Sequence, residues 1–418
     1  ELPRTIVRQV ARSVRATISP TEAERIGVVG TDNPSALDLY MRAKAKDLTR
    51  QGRAEGIQLL QAAVAADPEF TGAWGLLAHR LYLSGRWEEG DDALRRAEAE
   101  DPEAREVLLA QAFSLYYRES NYVDAVSRLE EIVRSRPNFS DAIFLLGAAS
   151  RRVGKWDQVI DMYELGLDLD PRNALWTAFL GEAHYLMGNY SESVVAYDRA
   201  SALDPTLNVA HTGKVRALLW GAGDSTAARL AIEAAPPSNE ITSWDAMVSG
   251  VRADRARELA LWGETVGSEP GGALAHFTWG DTARARELVE PFRQELEDRL
   301  SQCPPEDLLA FCWDLSHALL GWVHIVLGNH EVAEGHLLTA VEMRPWTRDA
   351  LHGPSRQARL AFGYAMMGKW SEATAEFADV LSRPGWHHAP WLRVNPLLAP
   401  LRQEDPAFVA LLDAVDPR

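Results

Sequence analysis

Apolar residues stand at helical spacing along most of the chain, and they come as paired stripes. From Thr71 to Pro102, Trp74, Leu77, Ala78 and Leu81 fall at i, i+3, i+4 and i+7 of a first helix, while Gly90, Leu94 and Ala97 stripe a second. Between them lies Gly85-Arg86-Trp87. A glycine there ends the first helix in a left-handed conformation, and the aromatic residue after it packs under the hairpin. Small Ala78 and Ala97 let the two helices approach closely.

The same order recurs with other letters. Gly147, Gly154-Lys155-Trp156 and Tyr163 mark one unit; Leu180-Gly181, Gly188-Asn189-Tyr190, Tyr197 and Ala200 mark the next. A weaker unit turns at Ser120-Asn121-Tyr122 before Ala125 and Leu129, and the first keeps Tyr40, Leu60 and Ala63. The units close on Pro68, Pro102, Pro137, Pro171 and Pro205, at separations of 34, 35, 34 and 34 residues. That period predicts stacked helical hairpins, each burying its apolar faces only against its neighbours.

After Pro205 the period loosens. Gly223-Asp224 leads into a degenerate hairpin stopped by Pro236-Pro237, and residues 241–268 keep helical spacing without a recognisable turn until Glu269-Pro270-Gly271-Gly272 interrupts them. A long helix from about Thr282 to Ser301 follows, ending at Pro304-Pro305. Leu320-Gly321, Gly328-Asn329-His330, Ala333, Leu337, Ala340 and Pro345 restore the order, and Gly368-Lys369-Trp370 with Ala373 and Phe377 marks the last hairpin. The expected organisation is an N-terminal cap over 1–33, a repeat array of about six hairpins over 34–240, a degenerate helical bend over 241–280, a second array over 281–384, and a C-terminal cap over 385–418, about nine hairpins in all. In the N-terminal cap, Val7, Val10 and Val14 form an apolar stripe beside Arg4, Arg8 and Arg12, and Ser19-Pro20-Thr21-Glu22 caps the next helix. Asn33-Pro34 repeats that device before Leu37.

The hairpin order resembles tetratricopeptide repeats, which implies an all-α, right-handed superhelical solenoid of helix-turn-helix hairpins. A narrower resemblance lies at the ends. Residues Ile6 to Val10, Ile18 to Glu24 and Thr31 to Arg42 resemble the segment leading into the repeats of a group of bacterial multidomain regulators, and Leu392 to Phe408 resembles that group's terminal seal. Asn395 stands where the group usually has Asp, and Gln403-Glu404 departs from its doubly acidic step. In that group such arrays follow a TolB-like domain and an effector, commonly a nucleotidyl cyclase, a winged-helix domain or a kinase. The resemblance therefore implies a regulatory input region.

Charge narrows the partners. With 43 basic and 60 acidic side chains the net charge is −17, which argues against nucleic acid, since phosphate contacts need Lys and Arg. Cys303 and Cys312 are the only cysteines, too few for a disulfide framework or a thiolate zinc site, and both are expected as buried thiols. No apolar run approaches the roughly 20 residues of a membrane span, and the N-terminal residues lack a signal-peptide core, so a cytoplasmic location is expected.

Catalytic and cofactor motifs are missing. Gly154-Lys155 is followed by Trp156, not by the Ser or Thr of a phosphate loop, and no Gly-x-Ser-x-Gly or His-Glu-x-x-His occurs. His317 and His324 occupy core slots, and His387-His388, exposed in appearance between Trp386 and Trp391, suits a capping loop better than a metal. No catalytic residue, metal or cofactor is assigned, and an α/α-toroid enzyme is the least supported reading. The first helices of the hairpins are expected to present His79, Tyr82, Tyr117, Arg118, Phe144, Arg151, Arg152, Glu182, Tyr185, Trp220 and Trp322 on a concave face. Such an aromatic groove with a basic patch suits an extended protein or peptide partner with acidic or apolar anchors. A second copy of the chain, giving a homodimer, is compatible with the same surface. Gly75, His79, Phe144 and Ala148 fill the slots where a chaperone-tail clamp needs Lys and Asn, so that partner is not expected. The alternative is a small-molecule sensor, its ligand held between Trp220 and Trp322 if the array bends near Pro270.

Overall fold

A computed structural model of the chain describes residues 30–46, 50–264, 271–302 and 311–416. The basic helix and Ser19 cap expected near the N-terminus lie outside these residues, as do Cys303, the Pro304-Pro305 stop and the Glu269-Pro270 step. The described residues form helices joined by turns, and the chain divides into two compact units, Glu1–Pro137 and Asn138–Arg418.

The first unit stacks three hairpins. They are α1 (Pro34–Lys44) with α2 (Arg50–Ala66), α3 (Thr71–Tyr82) with α4 (Trp87–Glu100), and α5 (Arg105–Phe113) with α6 (Tyr122–Ser135). Asn33 caps α1 by accepting from the Ser35 and Ala36 amides, with Pro34 at the first helical position as its missing N–H allows. Leu77, Ala78 and Leu81 on α3 face Gly90, Leu94 and Ala97 on α4, all buried. Close approach is literal at Gly90, where a Cβ would lie 2.7 Å from the Tyr82 ring. Trp74 does not join this core. It is half-buried at the hairpin edge, its indole N–H donating to Pro68 O at 2.9 Å under the Arg96 guanidinium.

The second unit continues with α7 (Ser140–Ser150) and α8 (Trp156–Leu169), α9 (Ala174–Leu186) and α10 (Tyr190–Leu203), α11 (Asn208–Arg216) and α12 (Ser225–Ala234), then α13 (Asn239–Val251) and α14 (Arg255–Glu264). Next come α15 (Gly271–Thr278) and α16 (Thr282–Gln302), α17 (Phe311–Leu327) and α18 (His330–Met343), and α19 (Gly353–Met366) and α20 (Trp370–Leu381). Short α21 (Ala389–Val394), α22 (Ala399–Glu404) and α23 (Pro406–Val415) follow; their Trp391, Leu392, Leu401, Phe408 and Leu412 pack into one core with Phe377 and Leu337.

Where no turn was recognisable, α13 and α14 form a regular hairpin. Its left-handed residue is Ala253, at φ 58°, and Ser120 takes the same slot between α5 and α6 at φ 48°. Gly85 and Gly154 hold that slot at φ 70° and 76°. Two first helices also end in a π turn, Ser114–Arg118 after α5 and Ala217–Gly221 after α11, where the Glu119 and Ala222 amides reach back five residues.

The second unit closes on itself. The segment after α18 meets the end of α7, where the Ala350 amide donates to Arg152 O at 2.7 Å. The segment after α20 meets the end of α9, where the Gly385 amide donates to Leu186 O at 2.9 Å and the Tyr185 hydroxyl donates to Trp386 O. A linear stack has only neighbour contacts, so these long-range bonds set this unit apart.

Candidate functional site

In the first unit, four candidate side chains gather at the ends of α3 and α5. His79 packs tilted against Phe113 at 3.8 Å between ring centroids, and Phe113 stacks on Tyr117 at 5.4 Å with planes 6° apart. Burial, and then the neighbouring Arg80 charge, push the His79 imidazole down to about 3, so it is neutral. Tyr82 does not point outward: it is 1% exposed, fills the space left by Gly90, and donates to Asp91 at 2.9 Å. Asp91 also pairs with Arg118 at 3.0 Å. Tyr117, 41% exposed on the π turn, is the accessible aromatic of the group. A separate groove of about 530 Å³ lies between α4, α5 and α6, lined by Leu94, Gln111, Leu115, Glu119, Asp124 and Arg128. Leu94 was read from the sequence only as part of the α4 stripe, and none of the groove's lining residues was a candidate site residue.

In the second unit the candidates meet the chain's own later segments. Phe144 is half-buried against Tyr163, Trp176 and Phe179. Arg151 pairs with Glu182 and lies over the Phe179 ring, while Arg152 pairs with Asp349 at 2.7 Å. The two guanidiniums are therefore engaged in ion pairs inside the unit. Tyr185 is buried, and its phenol is pushed well above its usual range by burial. Trp220, on the second π turn, stacks on Trp391 at 5.2 Å and His387 at 5.8 Å and meets Trp244 edge-on at 5.1 Å. Trp322 donates to Arg359 O at 2.9 Å and packs against Phe362. His387 and Phe362, themselves 5.9 Å apart, link Trp220 to Trp322.

His388 is not exposed. It is buried edge-on against Tyr185 at 4.8 Å and Tyr190 at 5.1 Å. On α17 and α18, the Nδ1 atoms of His317 and His336 lie 2.8 Å apart, and the His324 ring lies 5.5 Å from that of His336. One nitrogen of the His317–His336 pair must donate and the other accept, so the accepting ring is neutral. Burial first, then the neighbouring imidazoles, lower His336 to about 4.

The sequence reading missed a buried ionic network. Asp314 on α17 accepts from Arg344 and from Arg356 on α19, and Arg344 also pairs with Asp349 at 3.1 Å. Asp349 has no exposed surface; it accepts further from the Leu351 and His352 amides and from Arg152. Burial works against its charge, but Arg152, His352, the amide and Arg344 hold its carboxyl below the usual range. The available signal was the run of Arg344, Arg348, Asp349, His352, Arg356 and Arg359 in an otherwise apolar repeat.

Residues 142–175, covering α7, α8 and the start of α9, match the tetratricopeptide repeat family model. No curated protein matches the chain. Among solved structures, it is similar to a tetratricopeptide repeat protein from Parabacteroides merdae, with 14% identity, 55% of this chain and 91% of that one covered, and a TM-score of 0.40. It is also similar to the APC/C hetero-tetramer Cut9-Hcn1, with 15% identity, 94% and 80% covered and a TM-score of 0.37. A third is the human IFIT1 dimer with m7Gppp-AAAA, with 16% identity, 82% and 85% covered and a TM-score of 0.42. The described residues are thus helical hairpins, one stretch of which is a tetratricopeptide repeat, and such repeats generally serve as protein-interaction scaffolds. Among the described residues no helix is long and apolar enough to cross a membrane.

Proposed function

We propose that this chain is a non-catalytic scaffold that takes extended protein or peptide segments on the inner face of its first helices. One observation supports this reading above the others. The ends of α7 and α9 already hold loop backbone of the same chain, the turn at residues 349–350 and the bend at 385–386, through main-chain bonds, the Tyr185 hydroxyl and the Arg152–Asp349 pair. Main-chain pairing supplies affinity without regard to side chains, and aromatic and guanidinium neighbours supply selection. In the first unit the exposed Tyr117 ring beside Arg118 offers a similar footing. On the resemblance of the end segments, we also assign the chain a regulatory input role beside effector domains.

The test is selection of peptides from a random display library on the full chain, followed by photo-crosslinking from a benzoylphenylalanine placed at Tyr117 or at Phe144. Selected peptides should share an apolar anchor, and Tyr117→Ala with Arg118→Ala should weaken peptides crosslinked at the first unit by about tenfold. Failure to enrich any sequence, or crosslinks confined to the helices' outer faces, would remove the reading.

A further inference from the structure

The end of α11 carries two hydrogen-bond donors that lack acceptors within the described residues. Arg216 is half-buried, with its guanidinium 4.8 Å from the Trp386 ring centroid and 5.7 Å from that of Trp244. No ion pair or hydrogen bond to it is found there, and Glu182, on the neighbouring first helix, is engaged by Arg151. Four residues on, the Trp220 indole N–H is buried and meets no acceptor. Both side chains touch Trp244, Arg216 over its ring and Trp220 at 5.1 Å. Both donors thus lie beside Trp244, with Trp386 next to Arg216 and the half-buried His387 next to Trp220.

Each feature has a separate physical meaning. A guanidinium stacked on indole keeps its in-plane N–H groups available, and those groups match the oxygens of a carboxylate or phosphate. A buried N–H without an acceptor is rare in native proteins and is unfavourable unless something fills the position. The π turn is what sets the second donor. By adding a residue to the turn, Ala217–Gly221 turns Trp220 toward Trp391 and His387 while Arg216 stays on the regular helix. In a chain of net charge −17, most arginines placed inside the second unit have carboxylates, as Arg151, Arg152, Arg229, Arg344 and Arg356 do.

From this we infer a binding site for a small organic oxyanion, an aromatic or apolar body bearing a phosphate or carboxylate, with Arg216 and Trp220 as donors and Trp244 and Trp386 as walls. The site shares Trp220 with the expected inner face and Trp386 with the bend at residues 385–386, but its test does not depend on a peptide partner. Phenyl phosphate, inorganic phosphate and benzyl alcohol are titrated into the full chain by calorimetry, with indole fluorescence followed in parallel. Phenyl phosphate should bind at one saturable site and change indole emission, inorganic phosphate should bind at least about tenfold more weakly, and benzyl alcohol should not bind, because the site needs both charge and ring. Arg216→Gln should weaken phenyl phosphate by about tenfold or more, and Trp220→Phe, which keeps the ring and removes the N–H, by about threefold. If Arg216→Gln fails to fold, Trp220→Phe still decides. The proposal is overturned if the wild-type chain shows no saturable phenyl phosphate binding, if benzyl alcohol competes equally, or if a folded variant keeps wild-type affinity.

Discussion

Single residues in this protein act mostly by shape or by charge burial. Gly166 on α8 lies against the Trp176 ring so closely that a Cβ would sit 1.1 Å from it. Trp176 is itself buried among Phe144 and Tyr163 and cannot step aside. Gly166→Ala should therefore destabilise the second unit by about 3 kcal/mol through overpacking, read as a shift of the urea midpoint, whereas the same change at Gly335, on the open face of α18, should stabilise by about 0.5–1 kcal/mol. Asp349 illustrates charge. Asp349→Ala leaves Arg152 and Arg344 without their shared carboxylate and strips two amides of their acceptor, so a loss of about 3–5 kcal/mol is expected in the same assay.

At the scale of elements, the hairpins were legible because their determinants are local. The stripes on α3 and α4, the glycine turns and the Asn33-Pro34 cap each lie within a few residues of what they control. The α13–α14 hairpin was not, since Ala253 occupies a left-handed slot that sequence reading assigns to glycine. Such an Ala is strained, so Ala253→Gly should raise stability by about 1 kcal/mol, and Ser120→Gly should do the same for the first unit. A fall in the urea midpoint for either change would mean that the side chain has a packing role that outweighs its backbone. The candidate inner face was legible only in part. Helical spacing places Arg152 and Tyr185 on first helices, but their partners Asp349 and Trp386 are 197 and 201 residues away and leave no periodic trace. Tyr82 was misread for a related reason: the missing side chain at Gly90, nearly a turn beyond the hairpin loop, draws it inward.

Across the molecule, burial of histidines sets the response to acid. His352 and His387 are lowered to about 3 and His336 and His388 to about 4, in each case chiefly by burial, against 6.5 in the unfolded chain. These rings are neutral in the fold, so their contribution is intact above pH 6.5 and is lost progressively as pH falls from 6.5 toward 4, where the unfolded chain takes up protons first. The first unit has one such group, His79. Thermal melts followed by circular dichroism from pH 7.5 to 4.5 should show the second unit losing stability sooner and more steeply. A midpoint that stays level over that range would contradict the assignment of neutral, buried rings.

The bonds joining Ala350 to Arg152 and Gly385 to Leu186 have a kinetic consequence as well. A stack of hairpins can nucleate anywhere and fray from either end, one repeat at a time. In the second unit, neither end of the span between these contacts is free to peel, and forming them requires closing a loop of nearly two hundred residues before any bond is returned. Refolding of this unit is therefore expected to be slow and single-stepped, with native hydrogen exchange over α7 to α20 governed by one shared opening. A scaffold that needs a stable platform rather than a flexible spring would be served by that behaviour.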